Sequence, residues 1–148
     1  MTPDRIEGKW IDLFAEVFAR CKVAPGDACA VLSESQSRAL NVQLAELALH
    51  RLGARPFHVV VPTPRQQAPV PIRSTGASVA LQGLGPALKA LAASTFVADC
   101  TLEGLMHAAE LPAILKGGAR ILYISNEHPD VLERLAPSSA DEQRVRAA

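Results

Sequence analysis

Ala28-Cys29-Ala30-Val31-Leu32 is a run of five apolar residues with no polar position between them. A strand covered on one face alternates apolar and polar residues, whereas a strand buried on both faces is apolar throughout. The run is therefore expected to be an interior strand of a sheet with helices on both sides. Pro25-Gly26-Asp27 leads into it as a turn. Before that turn, Ile6, Trp10, Leu13, Phe14, Val17 and Phe18 fall at offsets of four, seven, eight, eleven and twelve. That spacing predicts an amphipathic helix from Asp4 to Arg20.

After the first strand the pattern repeats. Leu40, Leu44, Leu47, Ala48 and Leu52 line one side of a second helix that stops at Gly53. Phe57-His58-Val59-Val60-Val61 reads as another strand buried on both faces, ended by Pro62. From Pro62 to Thr75, four prolines and no helical or strand period predict a long loop, and long loops inside a domain tend to be functional. Leu84, Leu88 and Leu91 give a short helix near Pro86, and Thr95-Phe96-Val97-Ala98 a third strand ending at Asp99-Cys100-Thr101. A helix from about His107 to Lys116 closes at Gly117-Gly118, before a fourth strand, Ala119 to Ile124. Pro129 is placed in the first turn of a helix through Leu135, and the polar tail from Ser138 reads as the start of another. Strands alternating with helices imply parallel pairing through crossovers. The expectation is one α/β domain over residues 1–148, an open, mostly parallel sheet of about four strands with flanking helices, three-layered and Rossmann-like in layout.

Composition narrows the function classes. The chain has 148 residues, 49% hydrophobic and 20% charged, enough to bury a core without disulfide or metal. Fifteen basic residues balance fifteen acidic ones. That balance gives no basic excess for phosphates or anionic lipid, and 4% aromatic residues are too few for base-stacking platforms. Neither a nucleic-acid nor a membrane partner is expected. No apolar leader or spanning stretch is present, and Cys21, Cys29 and Cys100 form no CxxC pair, which fits a reduced, cytoplasmic protein.

In open parallel sheets, ligands bind outside the carboxyl ends of the strands. Those ends are Ser33-Glu34-Ser35, Thr63, Asp99-Cys100-Thr101 and Ser125-Asn126-Glu127-His128. Strand one runs into Ser-Glu-Ser-Gln-Ser-Arg without glycine, Gly83-Leu84-Gly85 lacks a third glycine, and no Walker A sequence occurs, so the nucleotide fingerprints are missing. Glu103, His107 and Glu110 would share one helical face as a possible metal set, interrupted by Gly104; a solvated face is the simpler reading. His58 is expected as a packed or hydrogen-bonded core histidine, His50 as solvated and His128 as a helix-start residue. Ser33, Ser35, Cys100 and Ser125 are candidate nucleophiles, none in a GxSxG elbow; Cys100 is expected to be buried and inert, and Asp99 to cap the following turn.

Several strings, in order, resemble the N-terminal domain of a two-domain metalloenzyme family. They are Ala30-Val31-Leu32-Ser33, Asn41 with its Ala-Leu-rich helix, Val97-Ala98-Asp99, Leu105-Met106-His107, Ile114 to Leu122, and His128 to Pro137 with Asp141-Glu142 and Arg144-Val145. That family joins metallo-aminopeptidases of the aminopeptidase T type to the iron-dependent 2,5-dihydroxypyridine 5,6-dioxygenases of nicotinate degradation. The dioxygenase branch is the more similar, since Leu105-Met106-His107 resembles its Leu-Leu-His string. The chain has two more residues between Asp99 and Leu105 than that pattern.

The resemblance implies that His107 assists catalysis and that Leu105 and Met106 reach towards the substrate. It assigns no metal ligand to this chain. Two histidines and an aspartate for Fe(II) would lie in a C-terminal domain, so the chain is expected to be the N-terminal part of a longer enzyme, inactive alone. In the full-length enzyme the partners would be a small aromatic substrate, O2 and the missing C-terminal domain, with a homo-oligomer possible. Two alternatives stay open. One is the aminopeptidase branch, with a dinuclear metal site. The other is a non-catalytic assembly module whose first helix, with Trp10, Phe14 and Phe18, packs against another subunit.

Overall fold

The computed structural model describes residues 5–65 and 75–131. Eight elements follow one another: α1 (Gly8–Arg20), β1 (Ala28–Glu34), α2 (Ala39–Arg51), β2 (Arg55–Val61), α3 (Gly85–Ala92), β3 (Phe96–Cys100), α4 (Leu111–Lys116) and β4 (Arg120–Tyr123). The four strands form one sheet in the order β2-β1-β3-β4, and every pairing is parallel. The α/β architecture expected from the apolar runs is present.

The apolar run of β1 explains the three layers. Successive side chains of a strand point to opposite faces. Cys29 and Val31 enter a cluster with Trp10, Phe14 and Phe18 of α1, Leu44 and Leu49 of α2, and Phe96 and Ala98 of β3. Ala30 and Leu32 enter a second cluster with Leu91 of α3, Ile114 of α4, Val97 and Leu105. Helices α1 and α2 therefore cover one face, and α3 and α4 the other. Gly117, just after α4, lets α4 come close to α3: a Cβ there would lie 2.3 Å from the Ala92 carbonyl oxygen.

Four expectations need correction. The strand containing Phe57 to Val61 is not buried on both faces. As β2 it is the sheet edge, with Val60 64% and Phe57 37% exposed. An apolar run reports compatibility with burial, but the crossovers decide which strand lies outside. Helix α1 starts at Gly8, so Ile6 precedes it and is exposed. The face of α1 assigned to another subunit is used within the chain, because Trp10, Phe14 and Phe18 are 5%, 5% and 1% exposed. The helix expected from His107 is α4, which starts only at Leu111. Pro129 does sit in a helical turn, but its continuation to Leu135, residues 66–74 of the long loop and the tail from Ser138 lie outside the described residues. Among the described residues no helix is long and apolar enough to cross a membrane.

Candidate functional site at the carboxyl ends of the strands

The strand order places the topological reversal at β1. From there the chain steps outward to β2 on one side and to β3 and β4 on the other. Crevices at such reversals, beyond the carboxyl ends, are where open α/β sheets bind ligands. Here a cleft of about 170 Å³ lies beyond β1 and β2, lined by Glu34, Thr63, Pro64, Arg65, Val79, Leu102 and Glu103.

Glu34, the last residue of β1, is 5% exposed, and its Oε2 accepts the Leu102 backbone N–H at 2.6 Å. Burial pushes its pKa up, the Leu102 N–H pulls it down, and the charges of Asp99 and Glu103 add to the rise. Asp99 in β3 is fully buried. Its Oδ1 accepts the Thr101 N–H at 3.0 Å and the Thr101 hydroxyl at 2.6 Å, and its Oδ2 accepts the Leu105 N–H at 3.0 Å. Burial again raises its pKa, against the pull of these donors. The expected turn-capping role of Asp99 is what the geometry shows. Beside β1, Ser35 and Thr63 close the gap to β2: the Thr63 N–H donates to Ser35 Oγ at 3.0 Å, and the Gln36 N–H to Thr63 Oγ1 at 2.9 Å.

The string Leu105-Met106-His107 sits in the connection between β3 and α4, and its three side chains part company. Leu105 is fully buried in the second core cluster, Met106 is 71% exposed and His107 is exposed. Only Met106 and His107 therefore have exposed side chains; Leu105 anchors the segment in the core. The proposed helical face of Glu103, His107 and Glu110 does not form, because Glu103 lies in a bend and His107 in a turn before α4 begins. Gly104, at φ +85°, supplies the backbone conformation of this bend, and a Cβ there would lie 3.2 Å from the Tyr123 ring.

The fourth strand end goes elsewhere. Asn41 of α2 donates to the Ser125 and Glu127 carbonyls at 3.1 and 2.8 Å, and the Arg38 N–H donates to Asn126 Oδ1 at 2.7 Å. Residues 125–127 are thus docked on the start of α2 and do not line the cleft. His128 precedes the helical turn at Pro129, as expected, paired with Asp130 at 2.8 Å and edge-on to Trp10 at 5.1 Å. His50 is exposed. His58 is hydrogen-bonded to Glu46 at 2.5 Å, but from the exposed edge strand and not from the core.

The thiols of Cys29 and Cys100 are buried and hard to ionise. Burial, with Asp27 nearby, pushes Cys29 up to about 11, and burial raises Cys100 further. Neither fits a nucleophile. Among the described residues, no three of histidine, cysteine, aspartate and glutamate come together as a set able to hold a metal ion. The histidines lie apart, with His58 and His128 each paired to a single carboxylate. These residues do not fit a 2-His-1-carboxylate iron centre. Sequence reasoning named Glu34 among the strand ends and Glu103 in a possible metal set, and the structure adds Arg65 beside them in the cleft. The signal for Glu34 is a carboxylate near the end of a strand that opens with five apolar residues.

Comparison with known proteins places this geometry. A family model described as NicX, 2,5-dihydroxypyridine 5,6-dioxygenase, matches residues 9–148. The 2,5-dihydroxypyridine 5,6-dioxygenase of Pseudomonas putida KT2440 is 33% identical over 138 residues, which is 92% of this chain and 39% of that protein. The solved structure of 2,5-dihydroxypyridine dioxygenase from the same organism superposes with a TM-score of 0.83 at 31% identity, covering 97% of this chain and 41% of that one. The chain thus spans about two fifths of the length of the relatives it matches. Sequence pattern, sheet topology and family match agree over nearly all of its length, and the chain belongs to the 2,5-dihydroxypyridine 5,6-dioxygenase family.

Proposed function

We propose that this chain is the N-terminal α/β part of a longer, two-domain dioxygenase that cleaves the ring of 2,5-dihydroxypyridine or a closely related hydroxypyridine with O2. The observation that carries the reading is the family match over residues 9–148, combined with coverage of only 39% of the P. putida relative. Fe(II) held by residues outside this chain would supply the oxygen chemistry. The residues of this chain bind, orient and shield. His107, exposed on the β3–α4 connection, exchanges a proton or hydrogen bond with a ring oxygen of the substrate. Met106 offers an apolar, adaptable surface to the ring, and Leu105 ties both to the core. Excluding water from the closed site is the remaining contribution of this domain. The three free cysteines, two of them buried, support a reducing, cytoplasmic setting.

The test is to express the chain together with the coding sequence that follows it and load the product anaerobically with Fe(II). Consumption of 2,5-dihydroxypyridine and O2 in equal amounts is the expected result. In that protein, His107→Ala should lower kcat by about 10²–10⁴-fold, the range for loss of a general acid or base. A stop codon directly after Ala148, or turnover by the 148-residue chain alone, would overturn the two-domain reading. A full-length protein inert towards hydroxypyridines would overturn the substrate assignment.

A further inference from the structure

The segment that presents His107 is neither helix nor strand, so its backbone N–H groups have no ladder to satisfy them. Buried N–H groups need acceptors wherever they lie. Four of the five from Thr101 to Leu105 take theirs from side chains. The Thr101 and Leu105 N–H groups donate to the two oxygens of Asp99, the Gly104 N–H donates to Thr101 Oγ1 at 3.1 Å, and the Leu102 N–H donates to Glu34. The Thr101 hydroxyl completes the circuit by donating to Asp99 Oδ1.

On its other side the segment pairs with residues 76–78. The Gly76 N–H donates to the Glu103 carbonyl at 2.6 Å, the Ser78 N–H to the Gly104 carbonyl at 3.0 Å, and the His107 N–H to the Gly76 carbonyl at 2.5 Å. Asp99 itself is fixed in the sheet, in register with Leu32 of β1 and Tyr123 of β4. Its carboxyl group is the point at which β3 grips the irregular segment, beside Glu34 of β1 and Tyr123 of β4, which both hold Leu102; of these bonds, the one from Asp99 to the Leu105 N–H lies nearest His107, two residues before it.

We propose that Asp99 is a positioning residue for His107, holding the 101–105 arch so that the imidazole stands in one place when substrate arrives. The inference rests on the role given to His107 above. It also accounts for an ionisable group in the core at a point where a turn could have been closed by exposed backbone. A displacement of about 1 Å at a reacting group can cost on the order of 10²-fold in rate, so an arch of this kind has catalytic consequence.

Asp99→Asn tests it at constant volume. An amide has one acceptor oxygen, so its NH2 must face either the Leu105 or the Thr101 N–H, and one of these donors loses its partner. In the 148-residue chain, exchange of the Leu105 amide should accelerate by about tenfold or more, since a protecting hydrogen bond is lost. The ring signals of His107 should shift or broaden while those of His50 stay put. His107 ring signals superimposable on the parent's would overturn the proposal.

In the longer, Fe(II)-loaded protein, Asp99→Asn should lower kcat about tenfold or more with KM changed much less. The double variant with His107→Ala should be no worse than His107→Ala alone, since both act through one imidazole. Additive losses would mean that Asp99 acts elsewhere and would overturn the proposal. Full turnover by His107→Ala sinks the role of that histidine instead, and the ring signals still decide whether Asp99 places it. If Asp99→Asn does not fold, Thr101→Val removes only the hydroxyl between Asp99 and Gly104. The same criteria then apply, with smaller expected effects.

Discussion

Glu34 and Asp99 are carboxyl groups taken out of water at the ends of two neighbouring strands, and both have pKa values raised mainly by burial. For a raised carboxyl, the folded state holds its proton to higher pH than the unfolded chain does. Its contribution to stability is then greatest below the ordinary carboxylate range, near pH 4, and is lost as pH rises through the folded-state value. Glutamine at position 34 keeps an acceptor for the Leu102 N–H but does not titrate. The Tm of the parent minus that of Glu34→Gln should therefore be more favourable to the parent at pH 4 than at pH 7, as read by thermal melts across that range. A difference independent of pH would mean that Glu34 is solvated as an ordinary carboxylate. The residue scale also separates the three members of the Leu-Met-His string. All were legible as a unit in the sequence, yet which one anchors and which ones face out depends on a turn whose direction is set by Asp99 and by Gly104.

At the scale of elements, the two apolar runs show how far a local pattern reaches. β1 and β2 have similar apolar character, yet all but the first residue of β1 is buried, whereas Val61 alone is buried in β2. The difference is position in the sheet, and its consequence is measurable. Val60→Lys should change stability by no more than about 0.5 kcal/mol, as for a surface substitution, and adds a charge of the kind that protects edge strands. Leu32→Ala, in the second core cluster, should cost about 2–5 kcal/mol. Urea titrations of the two variants check both figures; a large loss at Val60 would mean that the edge is covered in solution. His58 shows the same lesson, since it sits on the edge strand and meets Glu46 of α2 where a core partner was expected.

For the whole molecule, the question is whether α1 belongs to the folding unit. Trp10, the sole tryptophan of the sequence, lies on α1 and packs edge-on to His128 after β4, while Phe18 packs on Phe96 of β3 at 5.2 Å. One helix thus touches the sheet and the segment that follows its last strand. Thermal unfolding followed by tryptophan fluorescence and by far-UV circular dichroism should therefore give coincident single transitions. Fluorescence changing well before the helical signal would mean that α1 peels away as a separate unit. The α/β class, the number of strands, their parallel sense and the presence of helices on both faces were determined by the sequence alone, through Ala28 to Leu32, the helical stripes and the turn residues between them. These are local signals, because burial on two faces and helical period are written into neighbouring side chains. The edge position of β2, the cleft over Glu34 and the circuit of Asp99, Thr101 and Leu105 were decided only by the tertiary structure. They depend on which strand ends meet across the sheet, and Glu34 reaches Leu102, 68 positions further along the chain. No local pattern of residues encodes that meeting; the crossovers and the packing of both faces bring it about.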